Sequence, residues 1–313
     1  MKRLAPLALL LAAACAAPRG PSTTLGPRST ASSRLAALEA EVREIVRRGA
    51  GDTAEVAVAY LDLETGDSLL VGAHTVMHAA STMKVPVMLE LFRRAEAGAL
   101  RLDDSVEVRN EFRSILDGSP YALSAADDSD TTLYARVGRR VPIRELVERM
   151  ITRSSNLATN LVIGLADPKR IERTLAELGA SEMRVLRGVE DGPAFRAGMN
   201  NTTTAYGFAK VLEAIAAGRG ASAEGSREMV AILGRQEFTE MIPAGLPPGT
   251  RAANKTGSIT RIAHDGAIVF PEGRAPYVLV VLTRGFTSPA AAAPTGRAVS
   301  AAVWRHAAGR AGR

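Results

Sequence analysis

The chain has 313 residues, of which 46% are hydrophobic and 23% charged, and this composition excludes collagen-like, solenoid and wholly disordered proteins. The formal net charge of +6 comes from basic residues spread along the chain, which predicts a solvated mixed-charge surface and no nucleic-acid partner. The single cysteine, Cys15, lies in the N-terminal apolar segment, which excludes a disulfide framework, a cysteine nucleophile and a cysteine metal site in the rest of the chain.

Residues 1–15 have the pattern of an export signal. Lys2 and Arg3 precede an apolar run at 7–14 that is too short to span a bilayer. The run ends at Cys15 among small residues and resembles a bacterial lipobox. Lipidation of Cys15 and plain cleavage with release are the two alternatives, and we expect a periplasmic, lipid-anchored protein. Residues 16–33, rich in Pro, Ser and Thr, predict a flexible linker.

From residue 34 onward, the sequence predicts strands near both ends and helices between them. Helical spacing predicts a first helix from Arg34 to about Gly49, and two apolar runs around a Glu-Thr-Gly-Asp turn predict an antiparallel hairpin of 56–61 with 68–71. The remaining predicted helices lie near 82–97, 142–152, 157–166, 168–178, 203–217, 224–234 and 289–308, and the remaining strands near 258–262, 267–270 and 277–283.

This order predicts an α/β (α+β) fold with a single catalytic domain at 34–313. One antiparallel sheet, built from both chain ends and flanked by helices, would pack beside an all-helical lobe at about 81–218. A cleft between the two is the expected ligand site. We expect a monomer.

Ser81 and Lys84 form a Ser-x-x-Lys motif at the start of a helix that is apolar nearly all round. Residues three apart lie on one helix face, so the lysine could take the proton of the serine hydroxyl, and free N–H groups of the first turn could stabilise an oxyanion. The alternative is a serine N-cap followed by a surface lysine. A lysine in the first turn of a buried helix argues against that alternative, because an unpaired buried charge is costly.

Two further motifs carry polar groups. Ser154 and Asn156 follow a predicted helix; they could relay a proton and hold a substrate amide, or could form a helix stop and N-cap. Lys255, Thr256, Gly257 and Ser258 lie at a predicted strand entry. There Lys255 and Thr256 could bind a substrate carboxylate, while Gly257 allows close approach of the substrate. Alternatively, the lysine could simply flank a turn.

Together, the Ser-x-x-Lys, Ser-x-Asn and Lys-Thr-Gly motifs resemble those of class A β-lactamases and their relatives among the penicillin-recognising serine hydrolases. The resemblance covers about 34–313. It implies that Ser81 forms an acyl-enzyme, that Lys84 assists proton removal, and that Ser154 protonates the leaving nitrogen. It also implies that Asn156 positions a side-chain amide, that Lys255 and Thr256 hold the substrate carboxylate, and that the Ser81 and Ser258 N–H groups form the oxyanion hole.

The sequence departs from that family pattern at the deacylating base. Glu190 is the candidate, with a surface-turn carboxylate as the alternative. The residue four positions on is Ala194 instead of the usual Asn, which leaves Asn200 as the candidate for the missing amide. The middle motif has Ser155 where the family usually has Asp, at a position expected to face away from substrate. The segment 110–138 also makes the gap between Ser81 and Ser154 about a dozen residues longer than usual in that family.

Three functions therefore remain open: a β-lactamase, a D-alanyl peptidase or esterase-like hydrolase of the same fold, and a non-catalytic envelope lipoprotein that binds peptidoglycan fragments. The corresponding ligand is a β-lactam or a D-alanyl peptide. The four histidines form no pair of the H-E-x-x-H type, so we expect no metal and no cofactor.

Overall fold

The computed structural model describes residues 28–309, with side chains from residue 33 onward. In chain order its strands are β1 Glu55–Asp62, β2 Ser68–Val71, β3 Met77–His78, β4 Ser105–Glu107, β5 Phe112–Arg113, β6 Pro120–Tyr121, β7 Arg140–Pro142, β8 Thr202–Thr203, β9 Arg251–Ile259, β10 Ile262–Phe270 and β11 Tyr277–Arg284. Its α-helices are α1 Arg28–Ala50, α2 Lys84–Glu96, α3 Ile143–Thr152, α4 Asn156–Ala166, α5 Pro168–Glu177, α6 Gly192–Arg196, α7 Ala205–Ala216, α8 Ala223–Leu233 and α9 Pro289–Ala308. Short 3₁₀ segments lie at Ala80–Met83, Thr131–Arg136 and Pro243–Gly245.

The central sheet is antiparallel and has the order β2-β1-β11-β10-β9, which confirms that both chain ends build it. Both of its faces are covered. On β11, Val278, Val280 and Leu282 face one core, while Tyr277, Leu279 and Val281 face the other, because successive side chains of a strand point to opposite faces. This two-sided burial explains why β11 appears in the sequence as a continuous apolar run.

Helices α1 and α9 cover one face of the sheet, and the helical lobe covers the other. Leu38 and Val42 of α1 and Val299 and Val303 of α9 belong to the first core. On the opposite face, Phe208 of α7 packs against β10 at Gly266, where a Cβ atom would collide with its ring. The lobe therefore lies directly against the sheet, and the boundary between the two is the place where a cleft can form.

The predicted element order is confirmed, with differences in detail. The lobe is not all-helical, because three two-stranded pairs lie inside or beside it: β3 with β8, β4 with β7, and β5 with β6. The last two pairs belong to the segment 101–142. The predicted strand at 258–262 is wrong. β9 begins at Arg251 and ends at Ile259, and Arg261, with φ at 60°, makes the tight turn into β10. Helix α1 begins at Arg28, inside the predicted linker, because no Gly or Pro interrupts 28–48.

The predicted signal 1–15, Cys15 and linker residues 16–27 lie outside the described residues, as do 310–313. Within 28–309, no helix is both long enough and apolar enough to cross a bilayer.

Candidate active site

A cavity of about 460 Å³ opens between β9, the Ala80–Met83 segment and the start of α4. Six of the nine residues predicted to act on substrate line it: Ser81, Ser154, Asn156, Thr256, Gly257 and Ser258. Lys84 and Lys255 are buried directly beside it, and Glu190 is hydrogen-bonded to Asn156. Three motifs separated by about 70 and 100 residues are therefore brought to one place.

Ser81 lies in the 3₁₀ segment that leads into α2. Ala80, just before it, has φ at 47°, a left-handed conformation that non-glycine residues rarely adopt. The side chain of His78 stabilises this turn, because its Nδ1 accepts the N–H of Ala80 at 3.0 Å. Such conformations persist only where surrounding contacts fix them, and they concentrate at functional sites.

His264 of β10 connects the sheet to this turn. Its Nδ1 accepts the N–H of Thr283, so the proton is on Nε2, which donates to the carbonyl of His78 at 2.9 Å. Burial lowers the pKa of His264 to about 4, so the ring remains neutral and keeps both bonds at neutral pH. His264 thus has a structural role, because it fixes the turn that precedes Ser81.

Lys84 is fully buried and its ammonium donates three hydrogen bonds. The acceptors are the carbonyl of Ser154 at 2.6 Å, Asn156 Oδ1 at 2.8 Å and Ser154 Oγ at 3.2 Å. Burial lowers the pKa of Lys84 to about 7, although the carboxylates of Asp128 and Glu190 act in the opposite direction. No hydrogen bond joins Lys84 to Ser81 in the described chain; Lys84 instead binds Ser154, which lines the same cavity as Ser81.

Ser154 lies between the two buried lysines. Lys255 Nζ donates to Ser154 Oγ at 3.1 Å and to the carbonyl of Thr256 at 2.8 Å. A hydroxyl has two acceptor positions, and the two lysines occupy both, which leaves its proton free to be donated into the cavity. Burial, and secondarily the nearby Lys84, lower the pKa of Lys255 well below its ordinary value. Ser154 itself has φ at 56°, which turns it toward the cavity at the helix junction.

Gly257 allows β9 to lie close to the backbone of the Ser81 segment, whereas the predicted close approach was that of a substrate. A Cβ atom at this position would lie 2.9 Å from the backbone nitrogen of Ser81 and 3.0 Å from that of Thr82. Only a glycine lets β9 run this close to the 3₁₀ segment. Thr256 and Ser258, on either side of Gly257, line the cavity beside Ser81.

Glu190 contacts the Asn156 amide through the group that does not bind Lys84. Asn156 Nδ2 donates to Glu190 Oε1 at 2.8 Å, while its Oδ1 accepts from Lys84, so one amide connects the candidate base to the lysine. Desolvation raises the pKa of Glu190, against the lowering effect of its hydrogen bonds from Asn156 and the Ser124 backbone. Glu190 also has positive φ, at 60°. The carboxylate is therefore hydrogen-bonded to a residue that lines the cavity, although Glu190 is exposed and is not itself in the lining.

Asn200 does not supply the missing amide. Its Oδ1 accepts from Arg187 Nη2 at 2.9 Å, and the described chain has no bond from it to Glu190. The prediction was wrong because buried Arg187 needs acceptors and Asn200 provides one. Asn160 instead fixes the loop backbone, since it binds both the N–H and the carbonyl of Val189, at 2.7 and 3.0 Å.

Asp128 is a site residue that the sequence analysis missed. Its carboxylate accepts the backbone N–H groups of Asn156 and Leu157, at 3.0 and 2.8 Å, and thereby caps α4 from 28 residues away. Ser155 is fully buried and caps the same helix at Ala158, as expected for a residue that faces away from substrate. An acidic run before a helix was visible in the sequence, but its contact with the Ser-x-Asn motif depends on the path of the inserted segment.

The model of the β-lactamase enzyme family matches residues 37–307. The chain belongs to this family. Among curated relatives, β-lactamase 1 of Streptomyces cacaoi is 30% identical over 216 residues, which cover 64% of this chain and 65% of the relative. Alignments with two Bacillus β-lactamases span half of each relative's length.

Solved structures of the family superpose over most of the chain. A β-lactamase from Xanthomonas campestris is 26% identical with a TM-score of 0.75, covering 88% of this chain and 98% of that one. A mutant of PBP-A in an acyl-enzyme complex with penicillin G is 24% identical with a TM-score of 0.75, covering 88% and 97%, and this likeness shows the fold. The predicted resemblance to class A β-lactamases and their relatives, and the predicted fold class, are confirmed.

Proposed function

We propose that this protein is a serine β-lactamase that opens the β-lactam amide through an acyl-enzyme on Ser81. The observation that carries the proposal is the position of Ser154 Oγ, which accepts from both buried lysines in the cavity that holds Ser81. Buried lysines with lowered pKa values beside a hydroxyl are suited to moving protons at neutral pH.

The proposed acylation uses these groups in sequence. Deprotonated Lys84 takes the proton of Ser81 as Oγ bonds to the lactam carbonyl carbon, and the N–H groups of Ser81 and Ser258 stabilise the oxyanion. The C–N bond then breaks, and Ser154 donates its proton to the leaving nitrogen while it regains one from a neighbouring lysine. Asn156 positions the side-chain amide of the substrate, and Lys255 and Thr256 bind its carboxylate.

Deacylation requires a water molecule and a base, for which we propose Glu190. The carboxylate would take a proton from water as the water oxygen bonds to the acyl carbon, and the released Ser81 oxygen would be reprotonated. Its hydrogen bond from Asn156 orients it toward this site. The raised pKa of Glu190 makes it a stronger base than an ordinary glutamate once it is ionised.

The nucleophile is tested by Ser81→Ala. We expect turnover of a chromogenic cephalosporin to fall by about 10³-fold or more, because no other group can form the ester. Circular dichroism and the unfolding midpoint should stay close to those of the parent protein, since Ser81 is only partly buried. Unchanged turnover would assign the chemistry to another residue.

The base is tested by Glu190→Gln followed by intact-mass analysis after exposure to penicillin. We expect a penicilloyl adduct that persists in the variant and decays in the parent, because the amide cannot accept the proton of water. Glu182→Gln is the control, because Glu182 binds His74 and Thr204 away from the cavity. Equal adduct lifetimes in parent and variant would exclude Glu190 as the base.

A hydrolase of D-alanyl peptides, or an esterase of the same fold, is the second candidate. It is favoured by the engagement of Asn200 with Arg187, because among residues 28–309 the Glu190 carboxylate is then held by Asn156 and the Ser124 backbone, without a bond from Asn200. A long-lived adduct in the parent protein, together with release of D-alanine from a peptide, would support this candidate. Absence of an adduct with any β-lactam would instead support the non-catalytic lipoprotein.

We also propose that the protein is exported to the periplasm and anchored as a monomer through lipidated Cys15. The charged and apolar pattern of residues 1–15 supports this proposal. Labelled palmitate should be incorporated into the parent protein and not into Cys15→Ser, which should be recovered in the soluble periplasmic fraction. Equal fractionation of the two proteins would contradict the anchor.

A further inference from the structure

The wall of the catalytic cavity carries acidic side chains and no permanently charged cation; His264, which also lines it, is neutral because burial lowers its pKa to about 4. Asp127 and Glu240 line it, whereas the lining contains neither Lys nor Arg. Both acidic residues are exposed, and within 28–309 neither forms an ion pair with Lys, Arg or His. This contrasts with the chain as a whole, which has a net charge of +6.

Two cations next to the motif residues of the cavity are already held by other partners. Arg153 adjoins Ser154, but its guanidinium is paired with Glu237 at 2.9 Å and lies 3.8 Å from Asp130. Lys255 is fully buried, and its ammonium is directed at Ser154 and the Thr256 carbonyl. A ligand that enters the cavity therefore meets uncompensated negative charge before it reaches the buried lysine.

The two carboxylates come from different sides of the cavity. Asp127 belongs to the inserted segment 110–138 and precedes Asp128, which binds the backbone of Asn156. It therefore lies at the end where Asn156 would position the acyl side chain. Glu240 also lines the cavity and lies between α8 and β9. Its segment runs beside β10, because the N–H of Ile242 donates to Asp265, the residue paired with Thr256, where the substrate carboxylate would bind.

We propose that Asp127 and Glu240 select substrates that carry a positive charge in addition to the carboxylate. An amine on the acyl side chain would be attracted by Asp127, and a cation attached next to the carboxylate would be attracted by Glu240. Substrates with a second negative charge would be disfavoured, because like charges raise the cost of entering a cleft with low-dielectric walls. This inference rests on the proposed function and assigns its substrate class.

Two matched substrate pairs test the proposal. The first is a penicillin with a phenylacetyl side chain and its analogue with an α-amino group. The second is a pair of thienylacetyl cephalosporins, one with a neutral acetoxymethyl group and one with a cationic pyridiniummethyl group at C3. Since the members of a pair also differ in intrinsic reactivity, the measured quantity is the change in the ratio of their kcat/KM values between parent and variant.

We expect Asp127→Asn to lower the cationic-to-neutral ratio of the first pair, and Glu240→Gln that of the second, by about two- to fivefold each. The ratio in the parent protein should also decrease as salt is added, because exposed charges are screened. Glu272→Gln is the control: it removes the same charge from the exposed turn between β10 and β11. It should leave both ratios unchanged.

Ratios that do not change in either variant, or that change as much in Glu272→Gln, would overturn the charge selection. If a penicilloyl adduct persists, acylation rate constants replace kcat/KM and the same ratios are compared. A parent protein that is neither acylated nor active on any of the four compounds would contradict the proposed function itself. Turnover with unaltered ratios would contradict only the selection by Asp127 and Glu240.

Discussion

In the proposed mechanism, the protonation state of Lys84 decides whether Ser81 can be deprotonated. Its ammonium donates all three protons to Ser154 and Asn156, so it has no lone pair with which to accept the proton of Ser81. Loss of one proton creates that lone pair, and burial allows the loss near neutral pH because it lowers the pKa to about 7. A lysine in water would be protonated at this pH almost completely.

The requirement for a neutral Lys84 predicts a pH dependence of the acylation rate constant. Below the lowered pKa, the neutral fraction of Lys84 falls about tenfold per pH unit, so the acylation rate constant should fall in the same proportion from about pH 7 downward. Stopped-flow acylation between about pH 5 and about pH 9 would measure it. Lys84→Arg should remain inactive throughout, because a guanidinium does not lose its proton. A parent rate that is constant across this range would exclude Lys84 as the proton acceptor.

At the scale of elements, the site depends on the distance between β9 and the 3₁₀ segment before α2. Gly257 sets that distance, since a Cβ atom there would lie 2.9 Å from the Ser81 nitrogen. The backbone N–H groups of Ser81 and Ser258 belong to these two elements, so their separation determines whether both can reach one oxyanion. His264 connects β10 to the carbonyl of His78 and fixes the same segment from the sheet side.

Gly257→Ala should therefore reduce turnover more than it reduces stability. The added methyl group must push β9 away from Ser81, and loss of one oxyanion-hole donor costs about 10²- to 10³-fold in kcat. Gly164→Ala in α4 is the control, because nothing lies within 4 Å of a Cβ atom at that position and the change should keep kcat unaltered. Steady-state kinetics and thermal unfolding would separate the effects. Equal turnover in the two variants would mean that the contact is unimportant for catalysis.

At the scale of the whole molecule, a buried ion pair joins the sheet to the end of α9. Arg274, in the turn between β10 and β11, donates to Asp62 of β1 at 2.6 Å and to the carbonyl of Ala307 at 2.7 Å. The side chains of Arg274 and Asp62 are only 2% and 0% exposed. Although burial opposes ionisation, hydrogen bonds from Arg274 and Tyr60 keep the pKa of Asp62 below its usual value.

Arg274→Met should lower the free energy of unfolding by about 3–5 kcal/mol, because it leaves the Asp62 charge buried without its cation. The double variant Arg274→Met with Asp62→Asn should recover part of the lost stability. The control is Arg43→Met, which breaks an exposed pair with Glu39 and should cost less than about 1 kcal/mol. In the parent, the stabilisation is present above about pH 4, the ordinary aspartate value, and is lost as the pH falls through the lowered pKa. Urea unfolding would measure these differences. Equal losses in Arg274→Met and Arg43→Met would contradict the role of burial.

The sequence by itself determined the family, the element order and the residues of the three motifs. Local patterns were sufficient there: β11 is an apolar run because both faces are covered, and Ser81 and Lys84 are separated by one helical turn. That Gly257 permits some close approach could also be predicted, because glycine has no side chain to obstruct it, but the sequence did not show that the Ser81 backbone is the group that approaches.

Only the tertiary structure decided how the motifs meet. The contact of both lysines with Ser154, the capping of α4 by Asp128 and the binding of Asn200 by Arg187 each join residues 13 to 101 positions apart. The lowered pKa of Lys84 likewise depends on complete burial, which is produced by helices and strands distant in the chain. Local composition carries no information about such distances, because they follow from how the sheet, the lobe and the inserted segment pack together.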